Sequence, residues 1–553
     1  MHNQKTNANA DRHHAARAVM AFGLFCLLAC LLMLRLFALG NQVAQTGGAQ
    51  TAGVRVTAAT RRAPIYDTNG VPLVDTSTKP VVVAYPSEGN LSLLRPLLSD
   101  AAYSKLRDAF ADASPAVMTL AAPVPEQPDL LSTAAFQRYE TLTQAKHVLG
   151  YVDADGVGIT GMERAYDNFL TNHGGALSAV FPTNARGERL AGERAYWADD
   201  NYHGVTGLRL TLDKRIQRIA EDALDQGGIA RGAAVVLDAK TGAIRAMVSR
   251  PDYDQNNVAA SLEAAHSPLI NRAILPYPVG SVFKPTIVAA ALEAGLSPDV
   301  TFECKGSVTI GGVRIGCWNK AGHGRQTIAE GLANSCNPFF VQLAQKVSPE
   351  LLLDMTRALG YGQGTLLAPG ITAASGTLPD EDTLRTLPAA LANFSFGQGD
   401  LLATPLQIAA AFSVIASSGF YAPPYLVEGF VDEKGALYNP TERGGPYAVL
   451  RGETADFLQD ALLRTVREGT AKRAKSDLVA GCGKTGTAQV AHFDENGKEL
   501  YAAWFAGFFP AWAPKYTIAI FKEDGAGGDF DCAPVFKVMS EKISALTDNP
   551  AHE

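Results

Sequence analysis

Residues 18–34 form an uncharged apolar run, and Leu36 to Leu39 extend it beyond a single Arg35. No other feature constrains the chain as strongly, because a helix needs about 20 apolar residues to cross the hydrocarbon core. The run reaches that length when Arg35 snorkels toward an interface. Lys5, Arg12 and Arg17 precede it, which predicts a cytoplasmic tail over 1–17 and a transmembrane anchor over 18–39. A cleaved signal peptide is the alternative, but its apolar region is usually about 7–15 residues, so the length favours a retained single-pass anchor. Everything after about residue 40 is then extracytoplasmic, and no later segment is long and apolar enough to cross again.

A length of 553 residues implies more than one domain. A net charge of −7 and a pI of about 5.9 give no basic footprint for nucleic acid. Charged residues make up 19% of the chain, and glycine and proline follow no repeat, which excludes a largely disordered or fibrous protein. Residues 41–60, rich in Gly, Ala, Thr and Gln, read as a flexible stalk. From Arg61 to Gly204 the pattern is mixed. It has short strand-like runs such as Val81–Tyr85, a breaker-rich stretch Ala122–Pro128, and no dominant helical periodicity.

Near Leu208 the pattern changes. Leu210–Leu224 reads as a strand end entering an amphipathic helix, with Ile216, Ile219, Ala220, Ala223 and Leu224 as its stripe. A hairpin follows around Asp238 to Gly242. A helix is expected over Pro405–Ser417, and Ala502–Phe509 and Tyr516–Phe521 read as adjacent core strands. The expected division is a stalk and elongated β-rich pedestal over 40–205, a mixed α/β (α+β) domain over 206–546, and a tail over 547–553.

Within that domain lies Ser281-Val-Phe-Lys284, where a serine stands three positions before a lysine and nowhere else does. Residues i and i+3 share a helix face. A serine hydroxyl becomes a useful nucleophile when a base takes its proton, and a desolvated lysine can be that base. Pro285 would clash with the carbonyl four residues back inside a helix, so the first turn must begin close to Ser281, near unpaired N–H groups at the positive end of the dipole. Ser335-Cys-Asn337 and Lys484-Thr-Gly-Thr487 follow in order. Lys240-Thr-Gly242 repeats the third motif but precedes the nucleophile and sits in the hairpin turn, so its expected role is structural.

The order Ser-x-x-Lys, Ser-x-Asn, Lys-Thr-Gly is shared by penicillin-binding proteins and class A β-lactamases. The chain resembles a class B penicillin-binding protein, a monofunctional peptidoglycan D,D-transpeptidase. Arg62-Ala-Pro-Ile-Tyr-Asp-Thr-Asn-Gly70 is similar to that family's pedestal pattern, with Ala63 and Thr68 departing from it. Gly161–Tyr166, Phe396–Gly399, Thr404–Gln407 and Trp504–Gly507 are similar to further family segments. The roughly 160 residues between anchor and α/β domain are too few for the additional glycosyltransferase domain of class A enzymes.

The resemblance implies an antiparallel sheet flanked by helices, with Ser281 as nucleophile, Lys284 as general base and Ser335 as proton relay. Asn337 would hold the substrate amide. Lys484 and Thr485 would bind the terminal carboxylate, and Gly486 would let the strand approach the substrate. Backbone N–H groups of Ser281 and Thr487 would form the oxyanion hole. The implied substrates are stem peptides of peptidoglycan, with β-lactams as inhibitors, and the implied partners are a membrane-embedded glycan polymerase of the SEDS type and other cell-wall assembly proteins. No cofactor or metal is expected. Rival readings are a D,D-carboxypeptidase or serine β-lactamase using the same motifs, and a non-catalytic assembly scaffold.

Seven cysteines are present, with Cys26 and Cys30 in the anchor. Cys304 and Cys317 bracket an expected hairpin, Gly306–Gly316, and a local disulfide there remains open. A zinc site of Cys304, Cys317 and His323 lacks an evident fourth ligand. Cys336 lies inside the second motif, and Cys482 shares a strand face with Lys484. Two readings follow: a Cys336–Cys482 disulfide closing the cleft, or two small buried apolar side chains.

Overall fold

The computed structural model describes residues 4–45, 53–140, 142–184, 186, 188–190, 192–493, 495, 497 and 499–548. The expected stalk and C-terminal tail therefore lie partly outside the described residues. One helix spans Gln4–Gln45. Its segment Ala16–Phe37 is 22 residues long, unburied, and apolar enough to cross a membrane, which supports a single-pass membrane protein. Among the described residues it is the one helix that meets this condition.

The chain divides into two compact units. The smaller comprises Met1–Ala59, Pro80–Ala134 and Leu177–Asp199. It contains a three-stranded sheet in which Ser77–Ala84 lies between Ala116–Thr119 and Leu130–Gln137. Successive residues on a strand point to opposite faces. Val82, Ala84 and Leu130 accordingly enter one core cluster with Leu94 and Leu106, whereas Val83 and Leu131 enter another with Ala179 and Phe181.

Two expectations fail in this unit. Residues placed in the stalk form part of a strand, Gly53–Arg61. Helices also occur at Glu88–Leu94 and Asp100–Ala111, where no helical periodicity was visible. The longer one buries Leu106 and packs Tyr103 and Phe110 beside it, a short apolar stripe. Its legible signal was the cap: Ser87 and Ser99 accept from Asn90 N and Ala102 N at the two helix starts.

The larger unit comprises Thr60–Lys79, Ala135–Ala176 and Asp200–Glu553. Its centre is a five-stranded antiparallel sheet in the order Ile244–Arg250, Gly232–Asp238, Tyr516–Gly525, Glu499–Phe509, Cys482–Phe493. Alternation again feeds two cores. Val235, Leu237, Ala519, Phe521, Trp504 and Ala506 join Ile287 and Ile408 on one face. Ala234, Val236, Ile518, Ile520 and Phe505 meet Ile216, Ala220, Phe536 and Met539 on the other. Each fully buried Ile or Phe contributes about 1.5–3 kcal/mol, so both layers of helices are held firmly to the sheet.

The predicted amphipathic helix is Lys214–Gln226, with Ile216, Ala220, Ala223 and Leu224 buried and Ile219 partly so. The expected 405–417 helix is Pro405–Ala416, buried at every position. Its capping box joins Thr404 and Gln407, and Gln407 Nε2 donates to the carbonyls of Gly360, Gln363 and Ser375. Lys240-Thr-Gly242 forms the turn between Gly232–Asp238 and Ile244–Arg250, with Gly242 at φ +73° and Lys240 exposed. Only a residue that tolerates the left-handed region fits there comfortably.

The segments containing Arg62 and Glu163 meet inside this unit. Glu163, wholly buried, accepts from Arg62 Nε at 3.0 Å, Arg138 Nε at 2.7 Å and Tyr139 Oη at 3.0 Å. Arg138 also reaches Asp75 at 3.0 Å. Thr68, a departure from the family pattern, donates to Glu428 at 2.7 Å and accepts from Arg245 at 3.0 Å.

Candidate active site

Ser281 sits, half-buried, on a 3₁₀ turn over Gly280–Phe283 that runs directly into the α-helix Lys284–Glu293. Pro285 is tolerated because it falls in the first turn, where its missing N–H would lack a helical partner anyway. Gly280 has φ +67° and donates to Gly397 O at 2.7 Å. A Cβ on Gly397 would stand 2.1 Å from Gly280 O, and one on Gly280 would stand 2.9 Å from Thr487 O. The Phe396-Gly-Gln-Gly399 segment thus clamps the Ser281 turn from one side.

The edge strand Cys482–Phe493 closes on it from another. A Cβ on Gly486 would meet Val282 Cγ1 at 3.0 Å and Val279 O at 3.1 Å, so the glycine permits this approach. Trp504, on the neighbouring strand, donates through Nε1 to Pro278 O at 2.8 Å. Gly280 and Trp504 are positioning elements whose roles the motif reading did not assign. The signal for Gly280 was a glycine immediately before a proposed nucleophile.

Lys284 is completely buried. Its Nζ donates to Ser335 O at 2.7 Å, Asn337 Oδ1 at 2.8 Å and Ser335 Oγ at 3.1 Å. Burial drives its pKa down to about 7, with the Cys336 and Cys317 thiols acting weakly the other way. Lys484 is also completely buried, and its Nζ donates to Ser335 Oγ at 2.9 Å and Thr485 O at 3.0 Å. Burial, and then the charge of Lys284, hold it well below the usual lysine range. Two cations this close in a desolvated site repel.

Ser335 reaches both lysines because its backbone is left-handed, at φ +51°. It occupies the turn between helices Ile328–Ala333 and Asn337–Ala344. Its N–H and that of Cys336 donate to Leu332 O and Gly331 O, a helix-terminating arrangement. Carbonyl and hydroxyl of one residue therefore face Lys284 together.

Thr485 is buried beside Thr470, with Oγ1 atoms 3.5 Å apart, whereas Thr487 is exposed and its Oγ1 accepts from Gly528 N at 3.3 Å. All five cysteines beyond the anchor are buried free thiols. Cys304 and Cys317 form no disulfide with each other, and Cys336 and Cys482 do not pair. Cys482 Sγ instead donates to Gln459 O, while Cys336 clusters with Cys304, Cys317 and His323.

Residues 232–541 match the family model described as penicillin binding protein transpeptidase domain. Stage V sporulation protein D of Bacillus subtilis is 31% identical over 424 residues, covering 73% of this chain and 63% of that protein. Peptidoglycan D,D-transpeptidase PbpA of Mycolicibacterium smegmatis is 32% identical over 392 residues, covering 67% and 75% respectively. Among solved structures, penicillin binding protein 3 of Mycobacterium tuberculosis complexed with aztreonam is similar, at 25% identity and TM-score 0.63, covering 90% of this chain and 98% of that one. A chain from a peptidoglycan synthase complex that coordinates polymerization and crosslinking is similar at 26% identity and TM-score 0.69, covering 96% and 98%. The match extends over less than two thirds of several longer relatives. With the three motifs converged on one turn and more than half the chain matched, the chain belongs to the penicillin-binding protein transpeptidase family, as a class B member.

Proposed function

We propose that the chain is a serine-type peptidoglycan D,D-transpeptidase that cross-links stem peptides through an acyl-enzyme. The observation that carries this reading is the meeting on Ser335 Oγ of Lys484 and of Lys284, which stands one helical turn after Ser281. A neutral lysine beside a serine supplies the base that the nucleophile needs, and this site disfavours two charged lysines.

Binding begins at Lys484 and Thr485, which hold the C-terminal carboxylate of the donor stem by charge and hydroxyl contact. The carboxylate favours the ammonium form of Lys484, and that charge keeps Lys284 neutral. Ser281 Oγ then attacks the carbonyl carbon of the penultimate D-alanine while its proton passes to Lys284 Nζ. The oxyanion is received by the backbone N–H groups of Ser281 and Thr487, each such donor being worth about 2.7–4 kcal/mol. Collapse breaks the C–N bond, the proton returns through Ser335 to the departing amine, and D-alanine leaves. An amine of a neighbouring stem attacks the ester, forms the cross-link and restores the Ser281 hydroxyl. Asn337 orients the donor amide.

The same acylation makes Ser281 the target of β-lactams, as the relative bound to aztreonam suggests. We place the N-terminal tail in the cytoplasm and the α/β domain outside it. The similarity to a chain of a peptidoglycan synthase complex supports a membrane-embedded polymerase of the SEDS type as partner, alongside other assembly proteins. Labelling with a fluorescent penicillin tests the enzymatic reading: the wild-type chain labels covalently and Ser281→Ala does not. An unlabelled wild type would favour a scaffold, and rapid release of the label as hydrolysed drug would favour a β-lactamase.

A further inference from the structure

Cys304, Cys317, His323 and Cys336 bring their ligand atoms within 4.8 Å of one another. Cys336 is the fourth donor that the sequence pattern did not reveal, because it lies in the middle of Ser335-Cys-Asn337. The three thiols are buried, at 2%, 1% and 0% exposure, and the imidazole is partly so. Cys317 Sγ lies 3.4 Å from His323 Nδ1. Metal bonds of about 2.3 Å to sulfur and 2.0–2.1 Å to nitrogen at tetrahedral angles would separate those atoms by about 3.5 Å.

The backbone holds the donors in place before any ion arrives. His323 N donates to Cys304 O at 3.1 Å, Cys317 N to Gly306 O at 2.9 Å, and Asn319 Nδ2 to Gly322 O at 2.7 Å. Gly306 and Gly322 have φ +87° and +85°, and a Cβ on either would fall 2.1–2.3 Å from a backbone carbonyl oxygen, Lys320 O or Cys304 O. Cys304 ends the strand Thr301–Cys304, and Cys317 follows the hairpin Ser307–Ile310 and Val313–Gly316. His323 precedes the strand Gly324–Thr327, which pairs with Thr301–Cys304. The loops are folded tightly around the donors.

We propose that this cluster is a zinc site, a closed Cys₃His centre that ties the 301–327 ribbon to the start of the Asn337 helix and so fixes the Ser335 turn. Three thiolates and one imidazole with no open position are the donor set of a structural zinc site. Binding displaces the three thiol protons to solvent. The loaded centre carries one net negative charge and lies near the buried Lys284, whose charge is felt by Cys336, Cys317 and His323. Its position gives it leverage, because the residues on either side of Cys336 both accept hydrogen bonds from Lys284 Nζ. The metal is a positioning element here and touches no reacting atom.

The positioning role rests on the proposed transpeptidase reading, whereas metal binding does not. The test uses the full chain in detergent, saturated with zinc and desalted, with metal measured per chain and the cobalt(II) form examined by absorption. Expected are one equivalent of zinc, the visible and near-ultraviolet bands of tetrahedral cobalt–thiolate, and loss of both in Cys304→Ser and His323→Ala. Cys532→Ser, whose thiol donates to Ala503 O away from the cluster, should retain them. A wild-type chain with far less than one equivalent and no cobalt–thiolate bands would overturn the site even if the variants failed to fold. Chelation of the wild type should slow labelling by fluorescent penicillin about tenfold, with recovery on returning zinc. Unchanged labelling of a chain shown to have lost its metal would overturn the positioning role alone.

Discussion

Lys284 and Lys484 donate to the same oxygen, Ser335 Oγ, at 3.1 and 2.9 Å. The lysines lie two hundred residues apart, on the helix Lys284–Glu293 and on the edge strand. The residue that joins them comes from a third element and reaches them through a left-handed turn. Neither lysine is exposed, so burial first, and for Lys484 the charge of Lys284 next, disfavours their ammonium forms. In the proposed mechanism this shared oxygen is the path by which a proton passes from base to leaving group.

Ser335→Ala removes the shared acceptor while leaving the carbonyl that accepts from Lys284 in place. Loss of a positioned proton-transfer group costs about 10²–10⁴-fold in rate. The expected outcome is an acylation rate by fluorescent penicillin reduced within that range, with the thermal unfolding midpoint close to that of the wild type. A fully active Ser335→Ala enzyme would remove Ser335 from the relay.

Gly486→Ala tests the contact between edge strand and nucleophile turn. The added methyl would press on Val282 Cγ1 at 3.0 Å, Trp504 Cβ at 3.1 Å and the rigid Val279 carbonyl at 3.1 Å. Overpacking of this kind costs about 1–3 kcal/mol. We expect a lower unfolding midpoint and a larger fractional loss of acylation, because the strand must move away from Ser281. A Gly444→Ala control adds a methyl in open space and should change neither.

The chemistry of the site was more legible than its support. Ser281 and Lys284 were visible because i,i+3 spacing on a helix follows from local geometry, and Pro285 marked where that helix starts. Lys484 was separable from Lys240 because a glycine-containing turn between two β-type runs reads as a hairpin. The sharing of Ser335 Oγ was not legible, since it depends on a left-handed residue contacted by elements far apart in sequence. Cys336 was hidden in the same way: its partners come from a ribbon ending before residue 328, and no spacing rule links them. In the smaller unit, Asp100–Ala111 was hard to read because its apolar stripe is short, limited to Tyr103, Leu106 and Phe110. The sheet was the easiest part to read, as strands buried on both faces, such as Ala502–Phe509, form continuous apolar runs.

Glu163→Gln addresses the buried network outside the site. The glutamate is wholly inaccessible and pairs with Arg62 and Arg138. Removing one partner of a buried ion pair typically costs about 3–5 kcal/mol, because the remaining charges stay desolvated. The expected result is a marked fall in the thermal midpoint of the full chain in detergent, with the acylation rate of the folded fraction unchanged at low temperature. An unshifted midpoint would show that the arginines find other acceptors, Asp75 being the nearest candidate for Arg138.

The pH dependence of acylation isolates the base. Lys284 must be neutral to accept the Ser281 proton, and burial brings its pKa from 10.5 to about 7. The acylation rate should therefore rise with pH through about 7 and level off above it, falling about tenfold per unit on the acid side. The groups that face Lys284 are Lys484, the Cys336 and Cys317 thiols and His323. In the metal-free chain both thiols are pushed upward, Cys336 to about 12, and His323 is pushed down from its ordinary value, so none of them produces an inflection near 7. Lys484→Arg distinguishes the two lysines: a guanidinium stays charged throughout, and a permanent neighbouring cation lowers the Lys284 pKa further, moving the acid limb below 7. Lys284→Arg should be slow at every pH and lack the inflection. An acid limb in that variant identical to the wild type would transfer the base role away from Lys284.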